Sequence, residues 1–184
     1  MADRIRLGII GASPTVGWAY RSHLPAIAAS PEFELTGVCT TRMETAEESK
    51  KLYGARLAFD DYHTMLAHPE IDAVAVVLRV PTHYQITKDA LNAGKHVYTE
   101  WPLGKTTEEA IELAELAKEK GVRVIVGLQA RAAPAVLHMK KLVADGYVGE
   151  MLSCSMRLIR GGVLERGSGR TWQRDVELGA NTLT

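Results

Sequence analysis

The sequence predicts an α/β protein built on a doubly wound parallel sheet, followed by the start of a second, α+β domain. Three observations carry this. Short apolar runs alternate with amphipathic segments along most of the chain. The apolar runs, such as AVAVVL at 73–78, are continuous rather than alternating, as in strands covered by helices on both faces. The first run, IRLGII at 5–10, feeds a Gly-bounded turn and then a helical segment.

Strands are predicted at 5–10, 33–39, 73–78, 95–100 and 122–127. Helices are predicted at 17–29, 43–54, 62–69, 83–94, 106–121 and 134–146. Gly54 and Gly94 stop two helices, and Pro69 closes a third. Helix 106–121 is the clearest: Thr106 or Thr107 is its N-cap, Glu108 and Glu109 suit its positive end, and Lys118 and Lys120 its negative end. Near Gly149 the pattern changes. Residues 151–160 (MLSCSMRLIR) read as a strand of a one-sided antiparallel sheet, and a Gly- and Arg-rich loop follows at 161–170. The domains are therefore expected at 1–148 and 149–184. The second is expected to be incomplete, since one strand and a loop cannot form a stable domain.

Composition excludes several classes. The 22 basic and 22 acidic residues balance, so nothing points to direct nucleic-acid binding. No apolar run approaches the length of a membrane span, and MADRIRLG has no charged-then-apolar leader. Cys39 and Cys154 belong to no C-x-x-C pair, so buried, reduced thiols in a cytoplasmic protein are expected. No Cys/His/Asp spacing points to a metal site. His23, His96 and His138 read as isolated.

The turn after the first strand, Gly11-Ala12-Ser13-Pro14-Thr15-Val16-Gly17, is the main binding candidate. A strand–turn–helix of this kind aims backbone N–H groups and a positive helix end at one point, which suits a pyrophosphate. It departs from G-x-G-x-x-G: Ser13 replaces the second glycine, and Gly17 comes one residue late. An ordinary strand–turn–helix corner explains the stretch as well. In a Rossmann-type sheet the ligand lies across the carboxyl ends of the strands, where strand order reverses. The tips that would line the site hold Gly11–Gly17, Thr40–Arg42, Val80–His83, Glu100–Trp101 and Gln129–Arg131. At the second tip, Thr40, Thr41 and Arg42 stand where an NAD site places Asp or Glu. Two hydroxyls and a guanidinium bind a 2′-phosphate that a carboxylate would repel. This favours NADP, with NAD possible, unless Arg42 merely opens a solvated helix.

Four stretches, LGIIGASPTVG, VPTHYQ, GKHVYTEWPL and VGLQARAAP, together resemble the Gfo/Idh/MocA oxidoreductases. GWAYRSHLPAI, EWPL and GLQARAAPAV look like the branch that includes the fungal galactose-regulon repressor. The resemblance implies hydride transfer to or from a sugar or polyol with a nicotinamide dinucleotide. For that branch it equally implies a non-catalytic, NADP-binding regulator acting through protein partners. It also implies a homo-oligomer when the second domain is complete, and a His/Asp acid–base pair on a helix of that domain, toward which ELGANTLT would lead.

Residue by residue, the resemblance implies cofactor contacts at Gly11, Ala12, Ser13, Thr15, Val16, Thr40, Thr41, Arg42, Val80, Pro81, His83, Glu100, Trp101 and Gln129. It implies substrate contacts at Trp101 and Arg131. Alternatives stay open at several of these. His83 is a cofactor contact or a surface residue at a helix start. Glu100 accepts from a ribose, orders the loop, or is a surface carboxylate. Arg131 touches substrate or makes an interdomain ion pair. Trp101 occupies the place of the family's E-K-P lysine. An indole donates a hydrogen bond but has no accessible titration, so it cannot serve as a general acid or base. It stacks on the nicotinamide or a sugar ring, or it packs the corner. No residue of this chain is assigned to catalysis. The Trp101–Pro102 bond is a candidate cis peptide.

Overall fold

Strands β1 (Ile5–Ile10), β2 (Phe33–Cys39), β3 (Leu57–Phe59), β4 (Ala73–Val76), β5 (His96–Glu100) and β6 (Val124–Gly127) form one parallel sheet. Their order is β3-β2-β1-β4-β5-β6, so it reverses between β1 and β4. The computed structural model describes residues 4–157, Asp175 and Glu177. The chain divides into two compact units, Met1–Gly127 and Leu128–Thr184. The α/β Rossmann architecture is that of the first.

Helices α1 (Leu24–Ala28), α2 (Met43–Tyr53), α3 (Tyr62–Ala67), α4 (His83–Asn92) and α5 (Thr107–Lys120) connect the strands. The apolar runs follow from burial on both faces. Ile10, Val74, Val76 and Val97 pack on one face with Met65, Leu91 and Leu113 of α3, α4 and α5. Ile9, Val38, Ala75 and Val77 pack on the other with Leu24 of α1. Neighbouring residues of one strand thus enter opposite cores, which leaves no polar face.

The helix ends follow local chemistry. Thr106 is the N-cap of α5, its hydroxyl accepting from Glu109 N at 3.2 Å. Gly54 and Gly121 end α2 and α5 in the left-handed region. The sequence reading missed β3, because a three-residue strand carries no periodicity. The helix expected at 17–29 forms as one continuous helical segment over 17–28, with a π-helical turn at Ala19–His23 leading into α1. Pro25 supplies the reason. It has no N–H and its ring crowds the carbonyl four residues back. The bonding widens there, and Leu24 N donates to Ala19 O.

At the amino ends of the strands, Asp72 accepts from Arg6 Nε at 2.9 Å and from Arg6 N at 3.0 Å. The Arg6 side chain holds the Asp72 carboxyl below the usual aspartate range. A lowered native value means that the stabilisation is present above the unfolded value of about 4 and is lost as pH falls through the native one. Asp72→Asn should therefore flatten the acid limb of a stability–pH curve and change little else. The effect is about 1 kcal/mol or less, because the pair is part-exposed and screened. Urea unfolding across the acid range measures it.

The second unit holds a short 3₁₀ turn, Gln129–Ala132, and α6 (Pro134–Ala144). Helix α6, expected within a first domain ending at 148, thus belongs to this unit. The strand expected from 151 does not form over 151–157, since no described residue offers it a ladder. Residues 158–160, the 161–170 loop and residues 178–184 lie outside the described residues. Of the two thiols expected to be buried, Cys39 is, and burial pushes it up to about 12. Cys154 is exposed.

Candidate nucleotide site at the carboxyl ends of the strands

The reversal between β1 and β4 opens the sheet at its carboxyl end, where Gly11 lies. Gly11 has φ +95°, and a Cβ there would stand 2.3 Å from Val77 O. Only glycine lets β1 turn this close to the β4 backbone. Gly11 N and Ala12 N both donate to Cys39 O, at 2.9 and 3.1 Å, tying the β1 tip to the β2 tip. Ala12 is fully buried. It therefore has neither a spare N–H nor an exposed side chain, and its expected cofactor contact is corrected to a structural role. Ser13 Oγ accepts from Val16 N at 3.3 Å and Thr15 N at 3.5 Å. These bonds are long and weak, so a phosphate oxygen is a stronger acceptor for the same two amides. Thr15, Val16 and Gly17 are exposed. The helical segment that follows starts at Gly17 and runs through the π turn into α1, so loop amides and the start of a helix meet at this corner.

At the tip of β2 the three expected residues separate. Thr40 Oγ1 lies 2.8 Å from Arg42 O and 2.6 Å from Thr45 Oγ1, so its proton is used inside the turn. The expected cofactor contact of Thr40 is corrected on that ground. Thr41 and Arg42 are exposed, and their side chains make no hydrogen bond or ion pair with a described residue. Arg42 is the N-cap position of α2, and no side chain caps that helix.

After β4, a 3₁₀ turn spans Val80–Thr82. Pro81 is exposed, but Val80 is 4% exposed and packs in the interior, so its side chain is not a cofactor contact. His83 is 1% exposed. Its Nδ1 lies 2.7 Å from Pro102 O and its Nε2 3.1 Å from Leu78 O. Neither expected role survives: His83 is neither at the surface nor open to a ligand. It ties the loop after β4 to the loop after β5.

At the end of β5, Glu100 Oε1 lies 2.5 Å from His23 Nε2, with the two side chains 14% and 15% exposed. Of the readings left open for Glu100, surface carboxylate is excluded. The His23 ring also meets Tyr98 edge-on, with centroids 5.2 Å apart. His23, read as isolated, is the residue the sequence reading missed. Its partner lies 77 residues away, so no local spacing signals the pair. Trp101 follows, 44% exposed, and its bond to Pro102 is cis.

This donor set fits a nicotinamide dinucleotide. Loop amides can meet a pyrophosphate, and a free guanidinium at the second tip can meet an adenosine phosphate. The residues that would hold the group are Thr15, Val16, Thr41, Arg42 and Pro81, with Glu100 and Trp101 at the other end of the crevice. By contrast, a concavity of about 560 Å³ lined by Arg4, Phe33, Glu34 and Tyr53 lies at the amino end of β2, away from these tips. Among the described residues no group of three His, Cys, Asp or Glu side chains is set to hold a metal ion. Among them, too, no helix is long and apolar enough to cross a membrane.

Residues 5–128 match the model of the Gfo/Idh/MocA oxidoreductases, described as an oxidoreductase family with an NAD-binding Rossmann fold. The chain belongs to this family. It is 30% identical to the dehydrogenase aclE of Aspergillus oryzae, over all of this chain and 52% of that protein. It is also 30% identical to the galactose/lactose metabolism regulatory protein of Saccharomyces cerevisiae, over 83% of this chain and 37% of that one. Among solved structures it resembles KijD10, a 3-ketoreductase from Actinomadura kijaniata in complex with TDP-benzene and NADP. The TM-score is 0.74 at 30% identity, over 80% of this chain and 46% of that one. The chain spans about half, or less, of the length of these relatives. Gln129 and Arg131 lie in the second unit, exposed on its 3₁₀ turn.

Proposed function

We propose that this chain is the nucleotide-binding part of an NADP-dependent oxidoreductase that moves hydride to or from a sugar or polyol. The observation that carries the cofactor choice is the tip of β2, where exposed Thr41 and Arg42 stand with no carboxylate at the strand end. A bound NADP supplies the nicotinamide that carries hydride. The chain's own residues bind and orient it: Thr15 and Val16 through their amides, Thr41 and Arg42 at the 2′-phosphate, Trp101 at the ring end. By resemblance Gly11 and Ser13 shape the loop, Pro81 and Gln129 flank the cofactor, and Trp101 and Arg131 face the substrate. The second unit opens the substrate domain, the complete protein is a homo-oligomer, and its setting is cytoplasmic. The family relationship and the NADP-bound 3-ketoreductase with a similar fold support this reading.

A second reading is favoured by Trp101. An indole in place of the lysine cannot itself give or take the proton that a hydride transfer at a hydroxyl requires. A regulator that binds NADP and signals through a protein partner needs neither. The relative among galactose regulators supports it.

Calorimetric titration with NADP⁺ and NAD⁺ separately tests the shared part of both readings. NADP⁺ is expected to bind at least about tenfold tighter, a gap of about 1.4 kcal/mol. Binding of neither would overturn both. A complete protein that binds NADP⁺ but turns over no sugar or polyol would favour the regulator.

A further inference from the structure

We propose that His23 is a positioning residue: through Glu100 it sets the plane of Trp101 against the nicotinamide ring. The inference rests on the nucleotide-site reading above. Trp101 is bracketed. The residue before it, Glu100, is held at 2.5 Å by His23, which reaches the β5 tip from the π-helical turn. The residue after it, Pro102, is held through its carbonyl at 2.7 Å by His83 of α4. The π turn leads into α1 and packs on one face of the sheet, while α4 packs on the other. The two histidines therefore grip the corner from opposite sides.

The grip on Glu100 is doubled and has room made for it. Tyr98 Oη lies 3.4 Å from the same carboxylate oxygen. A Cβ on Gly127 would stand 2.4 Å from Tyr98 Oη and 3.1 Å from Glu100 Oε2. Glycine on β6 thus leaves space for this pair. In contrast to these half-buried neighbours, Trp101 itself is 44% exposed at the carboxyl end of β5. Fixed flanks and an exposed indole make a pre-oriented aromatic plate, and a flat ring bound to such a plate loses little freedom that the protein must also lose. His23 does not touch the ligand in this arrangement. It acts through Glu100.

The test compares two probes on the full chain: NADPH, and the adenosine bisphosphate fragment of the cofactor, which lacks the nicotinamide. His23→Leu should weaken NADPH about tenfold and leave the fragment unchanged, since only the ring end depends on Trp101. His23→Gln, which can still donate to Glu100, should restore most of the NADPH affinity. Quenching of tryptophan emission by NADPH should fall in His23→Leu as it does in Trp101→Phe. Should His23→Leu fail to fold, His23→Asn, polar but too short to reach Glu100, carries the same comparison. Equal losses for both probes, or none for either, would overturn the positioning role and leave the nucleotide site standing. No NADPH binding by the unmodified chain would overturn the nucleotide-site reading and this inference with it.

Discussion

Gly11→Ala is expected to destabilise the first unit by about 3 kcal/mol or more, and Gly17→Ala by only about 1 kcal/mol. Both glycines have φ +95°, so both substitutions pay the same conformational strain. They differ in what the new methyl meets. At Gly17 nothing lies within 4 Å. At Gly11 the methyl would stand 2.3 Å from Val77 O and 2.8 Å from Leu78 Cδ2. A leucine side chain can turn away, but a backbone carbonyl held just past the end of β4 cannot. The Val77 backbone is fixed by its own bond to Ile10 O at 2.9 Å, and Gly11 by its bond to Cys39 O. Relief would require parting β1 from β4 where their ladder ends, at Ile10 and Val76. Urea unfolding of the two variants measures the difference. Equal losses would mean that the β1–β4 approach is looser than 2.3 Å implies.

The parts of the fold legible in the sequence are those whose physics is local. Strand β2 falls on the expected residues, Phe33–Cys39, because an apolar stretch buried on both faces has sharp ends. Helices α2 and α5 are legible from Gly54 at the end of one and Thr106 at the start of the other. What escaped depends on distant partners or on one residue's covalent geometry. Strand β3 exists because Leu57–Phe59 pair with Gly37–Cys39 of β2. The π turn exists because Pro25 interrupts an otherwise helical pattern. Over 151–157 the alternating pattern was real, but alternation makes a strand only where a ladder partner is supplied.

The same division runs through the site. Within the first unit the sequence identifies the strands whose carboxyl ends flank the reversal of strand order, and it raised the cis Trp101–Pro102 bond that the structure contains. It cannot say which tip residues turn inward. Ala12, Val80 and His83 are buried, and Thr40 spends its proton within its own turn. Exposed residues adjoin three of these: Thr41 beside Thr40, Pro81 beside Val80 and Thr82 beside His83. His83 is the instructive case: the first residue of a helix is usually exposed, yet this ring is buried with Nδ1 2.7 Å from Pro102 O, a carbonyl of the loop after β5. His23 and Glu100 meet only through the fold.

Arg42→Glu is expected to weaken NADP⁺ binding about a hundredfold, about 2.7 kcal/mol, while NAD⁺ binding is unchanged or improved. The guanidinium has no hydrogen bond or ion pair with a described residue, so no stabilising contact is lost. A carboxylate beside the start of α2 also suits the positive helix end, so the variant should fold. Its effect therefore falls on the ligand alone. The substitution removes a charge-assisted bond to the 2′-phosphate and puts a like charge in its place. The same carboxylate is of the type that accepts from a ribose hydroxyl in NAD sites. Thr41→Ala removes one neutral hydrogen bond and should cost NADP⁺ only a fewfold. Thr40→Ala should leave the NADP⁺/NAD⁺ ratio alone, because that hydroxyl is bound to Arg42 O and Thr45. The preference of the unmodified chain should also narrow as salt screens the exposed guanidinium. An unchanged ratio in Arg42→Glu would show that the β2 tip does not read the phosphate. The choice between the two cofactors would then lie with the loop after β1.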